Sequence, residues 1–140
     1  MSLTTLMDEL TRVNQLDPIA PEEGRYTLKM NGFDVLCYTR AGRIYLESQL
    51  AALPEGDDRR RELAMKLAEK NLPLIRAQRA CLSINEDDDH YWLHRRLQES
   101  GLQLDQFQEA LESFGSCFLY VRDIINEPGG SSGVNPMMMP

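Results

Sequence analysis

The feature that most constrains this chain is the order in which its hydrophobic periodicities follow one another. Leu3, Leu6, Met7, Leu10, Val13 and Leu16 recur at helical spacing, with Asp8, Glu9, Arg12 and Asn14 opposite them. Three alternating runs follow, with Tyr26, Leu28 and Met30 in the first. Phe33, Val35 and Cys37 mark the second, and Ile44, Leu46, Ser48 and Leu50 the third. A second helical stripe (Leu63, Ala64, Leu67, Ala68, Leu72) precedes two more strand-like runs over 80–84 and 90–97. A third helical stripe follows: Phe107, Leu111, Phe114, Phe118, Val121 and Ile125. The order α-βββ-α-ββ-α predicts an α+β fold, a twisted antiparallel sheet packed with helices. It fills one domain over residues 1–126. Residues 127–140, rich in Gly, Ser, Pro and Met, read as a flexible tail.

Local signals set the expected boundaries. Ser2 caps the first helix, and Pro18 and Pro21 hold the chain open after it. Asn31-Gly32 predicts a type I′ hairpin turn, because that turn needs positive φ at both central residues. Ala41-Gly42 makes a second tight turn. Asp57 or Asp58 is expected to cap the second helix, Pro73 to limit it, and Asp105 with Gln108 to open the third. Leu36, Tyr38 and Tyr45 fall on the far side of the meander, so its second face is also partly apolar.

Composition narrows function by exclusion. At 140 residues the chain buries a core without a disulfide or metal. Its net charge of −7 repels phosphate backbones, which argues against nucleic-acid and anionic-membrane binding. Cys37, Cys81 and Cys117 are odd in number and form no CxxC pair, which suits a reducing cytoplasm. The N-terminus does not read as a signal peptide, and no apolar run approaches the ~20 residues of a membrane span.

No stretch carries a catalytic signature. Asn85-x-Asp87-x-Asp89 opens like a calcium loop, but His90 stands where glycine is needed and Arg96 where a bidentate glutamate is needed. His90 and His94 have zinc-site spacing for a helix. On a strand they stand ~13 Å apart, too far to share one ion. Cys37 falls at a core position and reads as a small buried hydrophobe. We therefore expect no catalytic residue, no metal and no cofactor, and a chain that works by binding another protein through leftover apolar surface.

The later segments add a resemblance. Leu63–Leu72, the strand Ala80–Asn85 with its acidic turn, Tyr91–Leu97 and Leu104–Phe114 together resemble the class I chaperones of bacterial type III secretion, the Tir chaperone family. The likeness covers residues 2–126. It implies a cytoplasmic homodimer without enzymatic activity that binds N-terminal segments of secreted effector proteins and keeps them soluble for export. Cargo would add a strand to a sheet edge and fill apolar patches. Some members serve several effectors and present them to the export ATPase. By that resemblance the effector-binding residues would be Leu3, Leu6, Leu10, Val13, Phe33, Val35 and Leu36. The dimer interface would be Leu63, Leu67, Leu72, Leu74 and Ile75. Leu6→Asp would then abolish cargo binding and leave folding intact. The rival readings are a regulatory adaptor of the same fold and a small enzyme with a deep polar pocket.

Overall fold

The structure is a computed structural model that describes residues 1–126; the expected tail, 127–140, lies outside the described residues. It has three helices and one five-stranded antiparallel sheet: α1 (Leu3–Val13), β1 (Tyr26–Lys29), β2 (Asp34–Arg40), β3 (Arg43–Ala52), α2 (Asp57–Gln78), β4 (Ala80–Asn85), β5 (His90–Gln98) and α3 (Leu104–Asn126). The element order is the one the periodicities predict. Strand order in the sheet is β1-β2-β3-β5-β4. Helix α2 carries the chain past the middle of the sheet to its far edge, and β5 returns between β3 and β4.

One face of the sheet is the core face. Tyr26, Leu28, Val35, Cys37, Ile44, Leu46, Tyr91 and Leu93 point into it and are buried. The third helix covers them with Phe107, Leu111, Phe114, Phe118 and Val121, and α1 adds Leu3, Leu6, Met7 and Leu10. Strand alternation then forces the intervening side chains to the opposite, outer face. Ser48 is the one polar side chain on the core face of β3. Its hydroxyl donates to the Asp34 carbonyl at 2.8 Å, which removes the cost of burying it. Burial raises the Cys37 thiol to about 12 and the Cys117 thiol to about 11, so both stay neutral at ordinary pH.

Several local expectations need correction. Ser2 does cap α1, accepting from the Thr5 N–H at 3.2 Å. The stripe, however, stops at Leu10. Gln15 takes a positive φ just past the helix, and Val13 and Leu16 are left outside, 54% and 55% exposed. The Asn31-Gly32 loop is not a type I′ turn, because only Gly32 has positive φ. That geometry is at Ala41-Gly42, where both residues have positive φ between the paired Arg40 and Arg43. Helix α2 opens after Gly56, which offers no side-chain cap; Asp57 and Asp58 sit inside its first turn, where they complement the helix dipole. It runs through Pro73 to Gln78. Pro73 is exposed, so the Glu69 carbonyl that it leaves without a helical donor can turn to solvent. The third helix is opened by Gln106, whose side chain accepts from the Gln103 N–H at 3.0 Å, one residue ahead of the expected Asp105 start.

Candidate protein-binding surfaces

Three surfaces remain once the core is closed. The first is the free edge of β1. Among the described residues no strand pairs with its outer side, and α1 lies beside it, the Tyr26 hydroxyl reaching Thr4 at 3.3 Å. At its end, the tip of the β1–β2 hairpin packs on α3. Phe33 stacks on Phe118 with ring centres 4.0 Å apart. Gly115 permits that approach: a Cβ there would meet Met30 Cε at 3.3 Å and Phe33 Cζ at 3.5 Å. The other edge of the sheet is less open. The Leu82 N–H on β4 is already satisfied by the Asn71 side chain of α2 at 3.0 Å.

The second surface is the outer sheet face. Pairing lines up Leu36, Glu47, His94 and Cys81 in one row across four strands, and Gln49, Trp92 and Ser83 in the next. Two adjoining depressions of about 670 Å³ each lie on this face and share Leu36, Glu47 and Trp92. One opens toward Met30, Phe33 and the β1 edge; the other runs toward Ser83, Glu86 and Asp87. Glu47 is the fixed point. Its Oε2 accepts from the Tyr38 hydroxyl at 2.8 Å and from His94 Nδ1 at 3.1 Å, and His94 Nε2 bonds the Ser83 hydroxyl. Partial burial opposes the charge on Glu47. The hydrogen bonds from His94 and Tyr38 overcome it and hold its pKa below the usual carboxylate value.

Ser83, His94 and Glu47 thus have the connectivity of a serine relay. Ser83, however, lies mid-strand opposite Trp92, without the sharp turn or helix N-terminus that supplies oxyanion donors at a nucleophilic serine. The arrangement orients Glu47. The acidic turn is also committed to structure. Asn85 accepts from the Asp87 N–H, and Asp88 accepts from the His90 N–H, the Trp92 indole and Gln49. Among the described residues no group of His, Cys, Asp and Glu is placed to hold a metal ion.

The third surface is on α2. Leu67 and Leu74 face inward and are buried, whereas Met65, Leu72 and Ile75 are 64%, 54% and 46% exposed. Met65, Ala68, Leu72 and Ile75 are spaced 3, 4 and 3 residues apart, which puts them on one side of the helix away from Leu67 and Leu74.

The sequence-based site assignments divide accordingly. Leu3, Leu6, Leu10 and Val35 belong to the core, at 4%, 0%, 7% and 0% exposure. They are corrected as docking contacts, because a helical stripe marks an apolar face without saying what covers it, and α3 covers this one. Leu6→Asp would therefore report on folding, not on cargo. Val13 is exposed, and Phe33 and Leu36 are half-buried beside the β1 edge and its trough. Of the expected dimer residues, Leu67 and Leu74 are core, Leu63 is half-buried, and Leu72 and Ile75 are exposed. Leu67 and Leu74 are likewise corrected as interface contacts, since they already pack inside the subunit. Sequence reasoning missed Met65, whose spacing to Leu72 was a legible signal, and the Glu47–His94–Tyr38 cluster, which only strand pairing assembles.

Comparison with known proteins gives the following. The model of the Tir chaperone protein (CesT) family matches residues 5–115. No curated protein matches the chain. Among solved structures the chain is similar to one in the ExsC–ExsE complex, at 19% identity and a TM-score of 0.71, covering 89% of this chain and 96% of that one. It is also similar to one in the HopA1–SchA chaperone–effector complex, at 14% identity and a TM-score of 0.70, covering 85% and 91%. A third is in the structure of the Yersinia pestis type III secretion chaperone SycH with a stable fragment of YscM2, at 17% identity and a TM-score of 0.62, covering 84% and 97%. At these identities the structural likeness is one of fold.

Proposed function

Because the chain belongs to the Tir chaperone protein (CesT) family, we propose that it is a type III secretion chaperone, a homodimer that binds N-terminal segments of effector proteins in the bacterial cytoplasm. It keeps them soluble and delivers them to the export apparatus, the export ATPase included. The observation that carries the cargo site is the unpaired edge of β1 opening on a trough lined by Met30, Phe33, Leu36 and Phe118. An extended segment can add a strand there through its backbone and place alternate side chains in the trough. Val13, Phe33 and Leu36 remain the cargo candidates on accessible surface.

Dimerisation uses the outward stripe of α2. The 3-4-3 spacing reads the same in both directions, so two copies can pack antiparallel about a two-fold axis, Met65 against the partner's Ile75 and Ala68 against the partner's Leu72. The chain needs no cofactor for this role and performs no reaction. Among the described residues no helix is long and apolar enough to cross a membrane.

The test is light scattering of the purified chain, alone and co-expressed with the first ~100 residues of an effector, a domain-scale length. The expected result is twice the 16.0 kDa of the chain alone, and added mass with a solubilised fragment on co-expression. A monomer that leaves every such fragment insoluble would refute the proposal.

A further inference from the structure

The acidic half of the outer trough has a composition that the strand-addition reading does not use. Glu47 lies at its floor with Glu86 and Asp87 at its rim, against a single arginine, Arg25. Both hydrogen bonds that hold Glu47 end on Oε2. Among the described residues Oε1 has no donor, so one oxygen of an ionised, positioned carboxylate is left to accept from a ligand. Beside it the Trp92 indole is tied to Asp88 at 3.0 Å, which fixes the ring as a wall. Tyr38 stacks on Tyr45, with centroids 5.2 Å apart. That pair lies in the next row, outside the depression, and shows what such rings attract: the Arg25 and Arg40 guanidiniums lie 4.7 and 5.9 Å from the Tyr38 ring.

A fixed carboxylate next to aromatic faces matches the two demands of a guanidinium, a forked hydrogen-bond acceptor and a π surface. We propose that the half of the trough centred on Glu47 and Trp92 is a receptor for an arginine side chain of the bound segment. This half continues into the depression that opens on β1. A segment that pairs with that edge can therefore lay apolar side chains by Phe33 and, where it continues over the outer face, set an arginine at Glu47. The proposal rests on the chaperone reading for the source of that side chain. Arg25 is its internal competitor, the one lysine or arginine among the residues that line this half of the trough.

Trp92 is the chain's single tryptophan and lines both halves of the trough, so its fluorescence reports binding there and the Glu47→Gln variant assigns it to this half. The probe is a capped five-residue peptide with one arginine flanked by serine and leucine, compared with its citrulline and glutamate counterparts. We expect the arginine peptide to shift Trp92 emission with a Kd roughly tenfold below that of the citrulline peptide, the size of one charge-assisted hydrogen bond. The glutamate peptide should bind more weakly still. Glu47→Gln should erase the arginine–citrulline difference, and Arg25→Ala should widen it, which a merely structural role for Glu47 does not predict. Equal titration by the arginine and citrulline peptides, or no shift from either, would overturn the assignment. Effector capture by the unaltered chain, followed by light scattering, keeps the two proposals apart. Peptide discrimination without effector capture refutes the chaperone reading and leaves the arginine site standing; capture without discrimination does the reverse.

Discussion

Leu72→Ala tests the α2 interface most directly, because its effect on association can be worked out from one exposed side chain. Leu72 is 54% exposed in the single subunit, so truncation removes little that the subunit's own fold depends on. Fully burying a leucine contributes about 1.5–3 kcal/mol, so covering that 54% adds about 0.8–1.6 kcal/mol per subunit. Two-fold symmetry counts the residue twice. The variant should weaken the dimer by about 1.6–3.2 kcal/mol, or roughly 15- to 200-fold in Kd. Sedimentation velocity across a dilution series reads this, with circular dichroism as the control for folding. Leu67→Ala is the contrast. Leu67 is 3% exposed, and its truncation should cost about 2–5 kcal/mol of subunit stability. If Leu72→Ala lowered the melting temperature as Leu67→Ala does, or left the dimer Kd unchanged, the division of α2 into a core side and a partner side would be wrong.

Four other outcomes follow from the same geometry. Leu6→Asp should destabilise the subunit by about 4 kcal/mol or more, whereas Val13→Asp should change its stability by no more than about 0.5 kcal/mol, as read by urea unfolding. Ala41→Asn should raise stability by about 0.5–1 kcal/mol, because alanine is held at a φ of 52° in a turn that favours asparagine before glycine; an unchanged urea midpoint would refute this. In alkali, a thiol whose folded pKa is raised stabilises the protein fully below its unfolded value and loses that contribution as pH climbs toward the folded one. With Cys37 moved from 9.0 to about 12, its share of the loss reaches about 1.4 kcal/mol by pH 10, and Cys37→Ala should remove that part of the slope. Glu47 has the opposite sign: its lowered pKa makes it stabilising above about 4.5, with the contribution lost as pH falls further, so Glu47→Gln should flatten the acid limb.

The element order was legible because periods of 3.6 and 2 are written locally, residue by residue. What the sequence did not show is what depends on partners. The α1 stripe looks the same whether α3 covers it or a cargo does. Its assignment to the core follows from α3, which packs against α1 and brings Phe107, Phe114 and Phe118 into the same buried cluster. The Asn31-Gly32 dipeptide is a strong turn signal in isolation. Here the hairpin tip must also set Phe33 on Phe118, and the loop adopts a different geometry to do so. Glu47 and His94 lie on strands separated in sequence by both α2 and β4. They become neighbours only because β5 inserts beside β3, which no local pattern records.

Helix α2 is the instructive failure. In sequence, Leu63, Leu67 and Leu72 read as one apolar stripe. Leu67 and Leu72 in fact point to opposite sides, Leu67 joining Leu74 inside and Leu72 joining Met65 and Ile75 outside. A helix with apolar residues on two faces gives a poor amphipathic signal, since the two stripes cancel, and Pro73 reads in sequence as its end. That cancellation is itself informative. An exposed helix that carries two apolar faces has one more than its own domain can cover, and burying the second requires another surface of comparable length. In this fold the surface of matching length and spacing is the same stripe on a second copy, so the weak pattern of α2 and the proposed dimer have one physical cause.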